Sequence, residues 1–190
     1  PDGPRLDPAR DKKGFGFKAR RSKIANPEDP RVYEWLKALQ DTASLEAQLL
    51  PSMEDNRAQT FNNALAAIVF ILKDDRARAE RILDFYAHAT DESNTDVRRQ
   101  NFFVNGEARG FYQEMYLRDS GEGPAFTAPN GSDRWIGDMA WLLIATHYYT
   151  QRYDPERYER LEHLLKDLLI AFYQPAPRGG YIRHGWRRND

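Results

Sequence analysis

Two carboxylates next to aromatic residues are the side chains of this sequence best placed to do chemistry. Asp138 lies at the start of an apolar run, three positions after Trp135 and three before Trp141. Glu114 follows the aromatic pair Phe111-Tyr112 in a loop. Cleavage of a glycosidic bond needs two carboxyl groups, one as a proton donor and the other as a base or a nucleophile. Asp138 and Glu114 are therefore the candidate catalytic residues.

Both carboxylates also have structural interpretations, which the sequence leaves open. Asp138, or Asp133 nearby, could cap the helix that the apolar run predicts. If Asp138 is functional, burial raises its pKa and the positive end of the helix lowers it. Glu114 could be an ordinary surface carboxylate.

Aromatic and amide side chains at loops and helix starts are the candidate sugar-binding groups. Aromatic rings offer flat apolar faces to pyranose rings, and amides can hydrogen-bond sugar hydroxyls. The candidates are Trp135, Tyr112, Tyr181, Asn62, Asn63 and His184. Asn62 and Asn63 could instead cap a helix or bond to a neighbouring one. Trp141 lies inside the apolar run, and we expect it in the core.

Composition argues against several functional classes. A net charge of −1 argues against a nucleic-acid-binding protein. No apolar run reaches the ~18 residues that a membrane-spanning helix needs. There is no cysteine, and the four histidines lack metal-ligand spacing, so no metal site is predicted. The glycine motifs of nucleotide and dinucleotide sites are also missing, and we expect no cofactor.

An approximate internal repeat predicts the elements that position these residues. Apolar helices are predicted at about 60–73 and 135–150, and amphipathic helices at about 75–89 and 156–172. A glycine–aromatic segment follows each pair, first at Gly110 and then at Gly179. Asn63 and Asp138 stand at matching places in the two units, 75 positions apart. Such a repeat indicates helical hairpins whose loops meet on one face.

The repeat predicts the fold class and the domain organisation. We expect an all-α protein, an array of antiparallel helical hairpins with short β-like loops. Residues 1–28, rich in proline and glycine, are predicted to be an extended leader. Residues 29–190 are then one helical-hairpin domain.

Three segments resemble those of bacterial (α/α)6-toroid proteins, the six-hairpin class that includes many glycoside hydrolases and polysaccharide lyases. They are Gln59-Thr60-Phe61-Asn62-Asn63-Ala64-Leu65-Ala66, Asp75-Arg76-Ala77-Arg78-Ala79 and Gly137-Asp138-Met139-Ala140-Trp141-Leu142. Gly179-Gly180-Tyr181 is similar to the short glycine–aromatic hairpins of that class. The resemblance covers roughly residues 55–182. It implies the N-terminal half of a toroid, with further catalytic residues in a second half.

The resemblance implies a glycan-processing protein, most directly a glycoside hydrolase acting on an oligo- or polysaccharide. Asp138 would be the acid or base and Glu114 its partner or a substrate ligand. Export to the periplasm or beyond is favoured over the cytoplasm. One alternative is a non-catalytic binding or assembly module, whose open side meets another protein or the missing half of the fold. Another is a polysaccharide lyase or sugar epimerase that uses Tyr181, Arg183 and His184.

Overall fold

The computed structural model describes residues 30–42, 48–52, 56–95, 101–129, 133–177 and 179–186. The predicted leader, residues 1–28, lies outside these described residues. The helices are α1 (Pro30–Thr42), α2 (Thr60–Leu72), α3 (Arg76–Thr90), α4 (Ile136–Arg152) and α5 (Glu159–Ala171). The strands are β1 (Arg57–Gln59), β2 (Phe103–Val104), β3 (Glu107–Ala108), β4 (Glu114–Tyr116), β5 (Arg134–Trp135), β6 (Tyr173–Gln174), β7 (Tyr181–Ile182) and β8 (Gly185–Trp186).

The predicted helices are present, but the expectation of an all-α protein is wrong. Helices make up roughly half of the described residues, and the strands form four two-stranded antiparallel sheets, so the fold is mixed α/β. The pairs are β1 with β4, β2 with β3, β5 with β8, and β6 with β7. Each strand has only two or three residues. That is too short to show the alternation of apolar and polar residues by which a strand is recognised in a sequence.

The internal repeat is visible in the order of the elements. Each unit has a short strand, an inner helix, an outer helix, a small sheet, and a closing strand that pairs with the first. The first unit runs from β1 to β4 and the second from β5 to β8. The inner helices begin alike, because Thr60 N donates to Gln113 O (3.0 Å) and Ile136 N donates to His184 O (2.8 Å). Aligned on these residues, Asp138 corresponds to Asn62, one position from the predicted match.

The inner helices α2 and α4 run parallel and form the centre of the core. At their N-terminal ends Phe61 contacts Trp141, with ring centroids 6.0 Å apart. Near their C-terminal ends Tyr153 Oη donates to Asp74 Oδ1 (2.9 Å) and lies 3.3 Å from Ile71 O. Both N-terminal ends therefore lie at the same end of the domain.

The outer helices are amphipathic, as predicted, and repeated arginine–aspartate ion pairs link them in sequence. Arg78 of α3 holds Asp41 of α1 through two hydrogen bonds of 2.8 and 2.9 Å. Arg157, just before α5, holds Asp84 of α3 through two of 3.1 Å. Helices α1, α3 and α5 thus occupy successive positions in the outer layer.

Helix α4 is not buried on all sides, although most of its residues are apolar. Trp141 is 39% exposed, Ile144 40% and Tyr148 49%. The expectation that Trp141 belongs to the core is therefore wrong. Its buried residues face α2 and α5, and composition alone does not show which sides of a helix have neighbours. None of the described helices is long and apolar enough to cross a membrane.

Gly185 is required by the close pairing of β5 with β8, and substituting it should loosen this pair. Its φ is +149°, and a Cβ there would lie 2.0 Å from Arg134 O. Gly185→Ala is expected to lower the free energy of unfolding by about 1–3 kcal/mol through strain and displaced backbone. Urea unfolding monitored by circular dichroism measures this change.

Gly137→Ala is the matched control, because a Cβ at Gly137 meets nothing within 4 Å and the residue is in α4. Alanine is a better helix former than glycine, so this variant should be at least as stable as the wild type. Equal stability of the two variants would contradict the role given to Gly185.

Candidate functional site

The strand pairs before α2 and α4 bring the predicted site residues to one end of the domain. The pairs β1–β4 and β5–β8 are joined by a hydrogen bond from Gln113 N to Asp133 O (2.7 Å). Residues 112–116, 133–138 and 184–186 therefore meet beside the N-terminal ends of the two inner helices. The repeat predicted that its loops would meet on one face. The strand pairs bring these segments together, but the predicted Tyr181 lies in the separate β6–β7 sheet.

Asp138 is a buried carboxylate in the first turn of α4. The side chain is 8% exposed, and its Oδ2 atom has no hydrogen-bond partner among the described residues. Burial raises the pKa of Asp138 to about 6. The residue that precedes the helix is Trp135, in extended conformation, and its side chain makes no capping hydrogen bond. The structure thus gives no support to the capping interpretation of Asp138.

The interior beside Asp138 contains a second buried polar atom. Tyr86 is fully buried, and its hydroxyl makes no hydrogen bond of good geometry. Burial raises the pKa of Tyr86, and the negative charge of Asp138 raises it further. The neighbouring Thr60 hydroxyl donates to the Tyr112 carbonyl oxygen (2.7 Å). Asp138 and Tyr86 therefore form a polar spot inside an otherwise apolar region.

Glu162 of α5 is a carboxylate with structural partners and can be compared with Asp138. Glu162 is also 8% exposed, but it has three partners. Lys166 Nζ donates to it at 2.5 Å, and the Thr150 hydroxyl and His147 Nδ1 lie 3.2 Å from its oxygens. Burial alone would raise the pKa of Glu162, but these hydrogen bonds bring it below the ordinary value. His147 is exposed and takes part in this group.

Glu114, the second predicted catalytic residue, lies in β4 and forms an ion pair. Its Oε2 atom lies 3.4 Å from Arg57 Nη1, and only 17% of the side chain is exposed. The register of the strands places Glu114 opposite Gln59, directly before α2. Glu114 is thus at the same end of the domain as Asp138 but belongs to the neighbouring strand pair.

The predicted aromatic residues divide into exposed and covered rings. Trp135 is 39% exposed and lies against His184, with ring centroids 5.6 Å apart. Tyr181 is 61% exposed but belongs to the separate β6–β7 sheet. The ring of Tyr112 is covered by the guanidinium of Arg134, 3.8 Å from its centroid. The structure therefore brings Trp135 and His184 together. The Tyr112 ring stacks against Arg134, so that face of the ring is not available to a sugar.

The two asparagines at the start of α2 have structural partners. Asn63 is fully buried, and its Nδ2 donates to Leu50 O (3.1 Å) and Gln59 O (3.0 Å). Its Oδ1 accepts from Leu50 N (2.8 Å). Asn63 thus fastens residues 48–52 to α2. Asn62 donates to Gln59 Oε1 (3.1 Å) and lines an apolar groove of about 300 Å³ between α1 and α2.

Sequence reasoning missed two arginines that stabilise this end of the domain. Arg134 Nε donates to Gly110 O (2.8 Å), and burial lowers the pKa of Arg134. Arg109 lies over the Trp186 ring, 4.0 Å from its centroid, and pairs with Glu107 (2.7 Å). Guanidinium groups stack on aromatic faces. In the sequence both arginines stand close to aromatic residues, Arg109 before Phe111 and Arg134 before Trp135, and this proximity could have identified them.

The described residues contain no group of three or more His, Asp or Glu side chains placed to hold a metal ion. Comparison of the chain with protein-family models, with curated proteins and with solved structures finds no match. The functional argument therefore rests on the geometry of the site.

Proposed function

We propose that this protein is a glycan-processing enzyme, most directly a glycoside hydrolase, with Asp138 as its general acid. The observation that carries the proposal is the buried carboxylate of Asp138, which has neither a hydrogen-bond partner on Oδ2 nor a capping role. Buried groups with perturbed pKa values occur preferentially at functional sites. A carboxyl group with a pKa of about 6 keeps its proton up to about pH 6, well above the range in which an ordinary aspartate loses it.

In this proposal Asp138 gives its proton to the oxygen of the departing sugar as the glycosidic bond breaks. The exposed rings of Trp135 and His184 hold a sugar ring beside α4. Glu114 supplies the second carboxylate that the reaction needs, as a base or as a nucleophile. Arg57 is then a positioning residue, which holds Glu114 in place through their ion pair.

A non-catalytic binding or assembly module is the second candidate function. Its supporting observation is the exposed apolar side of α4, which carries Trp141, Ile144 and Tyr148. Contiguous apolar surface on a folded protein commonly marks a site of interaction.

The pH dependence of turnover tests the enzymatic proposal. A general acid works only when protonated, so glycan turnover should fall as the pH rises through about 6. The probe is a panel of soluble polysaccharides, and release of reducing ends is followed from pH 4 to 9. In Asp138→Asn, the fall in turnover that begins near pH 6 should be absent. Asp133→Asn, at the same end of the domain, is the matched control and should retain it. If turnover by Asp138→Asn still falls as the pH rises through 6, Asp138 is excluded as the acid.

A further inference from the structure

Two hydroxyl groups and one carboxyl group lie in a buried region where α2, α3 and α4 meet. Thr60 of α2 and Tyr86 of α3 are fully buried, and Asp138 of α4 is 8% exposed. The Tyr86 ring packs against the Phe111 ring, with centroids 4.7 Å apart. Phe111 N in turn donates to Sδ of Met139, the residue after Asp138 (3.2 Å). The Tyr86 hydroxyl therefore lies beside the Thr60 hydroxyl and close enough to Asp138 to feel its charge.

The hydrogen bonds of this region have a direction, because the series ends on a carbonyl oxygen. Tyr112 O can only accept, and the Thr60 hydroxyl donates to it (2.7 Å). A hydroxyl has one proton, so Thr60 can only accept from Tyr86. The Tyr86 proton is then directed to Thr60, and the phenolic oxygen has only lone pairs left for Asp138. An ionised carboxylate also has only lone pairs, so Asp138 can bind Tyr86 only in its protonated form.

We propose that Tyr86 and Thr60 are positioning residues for Asp138, in a relay where the protonated carboxyl donates to Tyr86, Tyr86 donates to Thr60, and Thr60 donates to the Tyr112 carbonyl oxygen. The first step runs directly or through one water, which passes the direction on unchanged. The relay supplies partners to the Oδ2 atom of Asp138 and to the Tyr86 hydroxyl, the two buried atoms of this region without a hydrogen bond of good geometry. Buried polar groups in folded proteins are nearly always paired.

The relay keeps a proton on the carboxyl group that is to act as the acid. A hydrogen bond that only the neutral form can make favours that form and raises the pKa. This effect adds to burial, which raises the pKa of Asp138 to about 6. The relay also fixes which carboxyl oxygen carries the proton. Its role in catalysis rests on the proposed function of Asp138, whereas the relay itself is a property of the folded protein.

The charged groups of the elements packed against α4 have other partners or face solvent. Helix α2 contains no titratable side chain. Arg134 of β5 donates to Gly110 O, and His184 is exposed. Glu162 of α5 is bound by Lys166. Burial is the cause of the raised pKa of Asp138, so the effect of changing Tyr86 or Thr60 can be measured without interference from these charges.

Titration of the full chain, followed by the ¹³C shift of the Asp138 carboxyl, tests the relay without any need for a substrate. The signal is assigned by its absence in Asp138→Asn. Tyr86→Phe removes the acceptor and should lower the pKa of Asp138 by about one pH unit. Loss of a polar group by itself makes the surroundings more apolar and would raise that pKa, so the two explanations predict opposite signs.

Thr60 supplies a second pair of variants. Thr60→Val leaves the Tyr86 proton without its acceptor, so it can turn to the ionised carboxylate and lower the pKa of Asp138. Thr60→Ser keeps the hydroxyl and should retain the wild-type value. Tyr149→Phe is the matched control, because Tyr149 is an equally buried tyrosine whose hydroxyl donates to Glu80. It should leave the titration of Asp138 unchanged.

An unchanged or raised pKa of Asp138 in Tyr86→Phe overturns the relay, and so does a Thr60→Ser variant that titrates like Thr60→Val. If Tyr86→Phe does not fold, as judged by circular dichroism, the two Thr60 variants decide. Reducing-end release separates the relay from the proposed function. The pH at which turnover falls should move down with the pKa in Tyr86→Phe. If the titrations shift as expected but turnover does not depend on Asp138, the relay stands and the enzymatic role fails.

Discussion

Asp138→Asn should cut glycan turnover by ~10²–10⁴ and at the same time make the protein more stable at neutral pH. The loss of turnover follows from removing a general acid, whose contribution is typically of that size. The gain in stability follows from removing a buried charge whose Oδ2 atom has no hydrogen-bond partner in the described structure. A residue whose loss stabilises the fold and abolishes activity is kept for function.

The sign of the stability change depends on pH. The folded-state pKa of Asp138, about 6, is raised above its ordinary value of 3.8. The wild type therefore loses stability through this group as the pH rises from about 4 through 6. Two pKa units correspond to about 3 kcal/mol, and burial of the new amide offsets part of this gain. We expect Asp138→Asn to be about 1–2 kcal/mol more stable than the wild type at pH 7, and nearly equal to it at pH 4.

Urea unfolding at pH 4, 5, 6 and 7 measures the stability, and reducing-end release on the polysaccharide panel measures the activity. Turnover at the wild-type rate would exclude Asp138 as the acid. Lower stability at pH 7 would show instead that Asp138 has a structural partner. The two readouts are independent, so failure of one leaves the other informative.

Glu162→Gln should have the opposite effect on stability, although Glu162 is as buried as Asp138. The substitution removes the charge that Lys166 and His147 contact in the folded protein. Hydrogen bonds to charged groups contribute about 1.5–3 kcal/mol each, and less where one partner is exposed. We therefore expect Glu162→Gln to lower the free energy of unfolding by about 1–3 kcal/mol at pH 7. Chemical denaturation beside the wild type measures the loss.

The pH dependence of this effect is also reversed. The pKa of Glu162 is lowered in the folded state, so its contribution is present above the unfolded pKa and is lost as the pH falls through the folded one. The wild type and Glu162→Gln should become equally stable in acid. Glycan turnover by Glu162→Gln should stay near the wild-type rate while the protein is folded. Equal stability at pH 7 would show that the three contacts of Glu162 contribute nothing net.

The helices could be predicted from the sequence, because their signals are local. The apolar and striped segments predicted α2, α3, α4 and α5 to within a few residues. The prediction that Asp75 starts α3 is confirmed, since its side chain accepts a hydrogen bond from Arg78 N (3.4 Å). The repeat was readable for the same reason, since each unit carries the same order of local patterns.

The strand pairs could not be predicted, because each depends on contacts between residues far apart in the chain. Glu114 pairs with Gln59, and Trp135 pairs with Gly185, so each strand meets a partner more than one helix away in the chain. Two or three residues carry too little pattern to identify such partners. The expectation of an all-α protein was wrong for this reason.

The roles of single polar residues depend on which neighbours the fold supplies. Asn63 binds the backbone of Leu50 because the fold places that residue against it, and Trp141 is exposed because α2 and α5 cover other sides of α4. Asp138 and Glu162 are both acidic residues in helices. Both residues are 8% exposed, and the fold provides three polar partners for Glu162 but none for the Oδ2 atom of Asp138. That difference arises from the packing of α4 against α2 and α5, since a carboxylate's pKa depends on its surroundings in space.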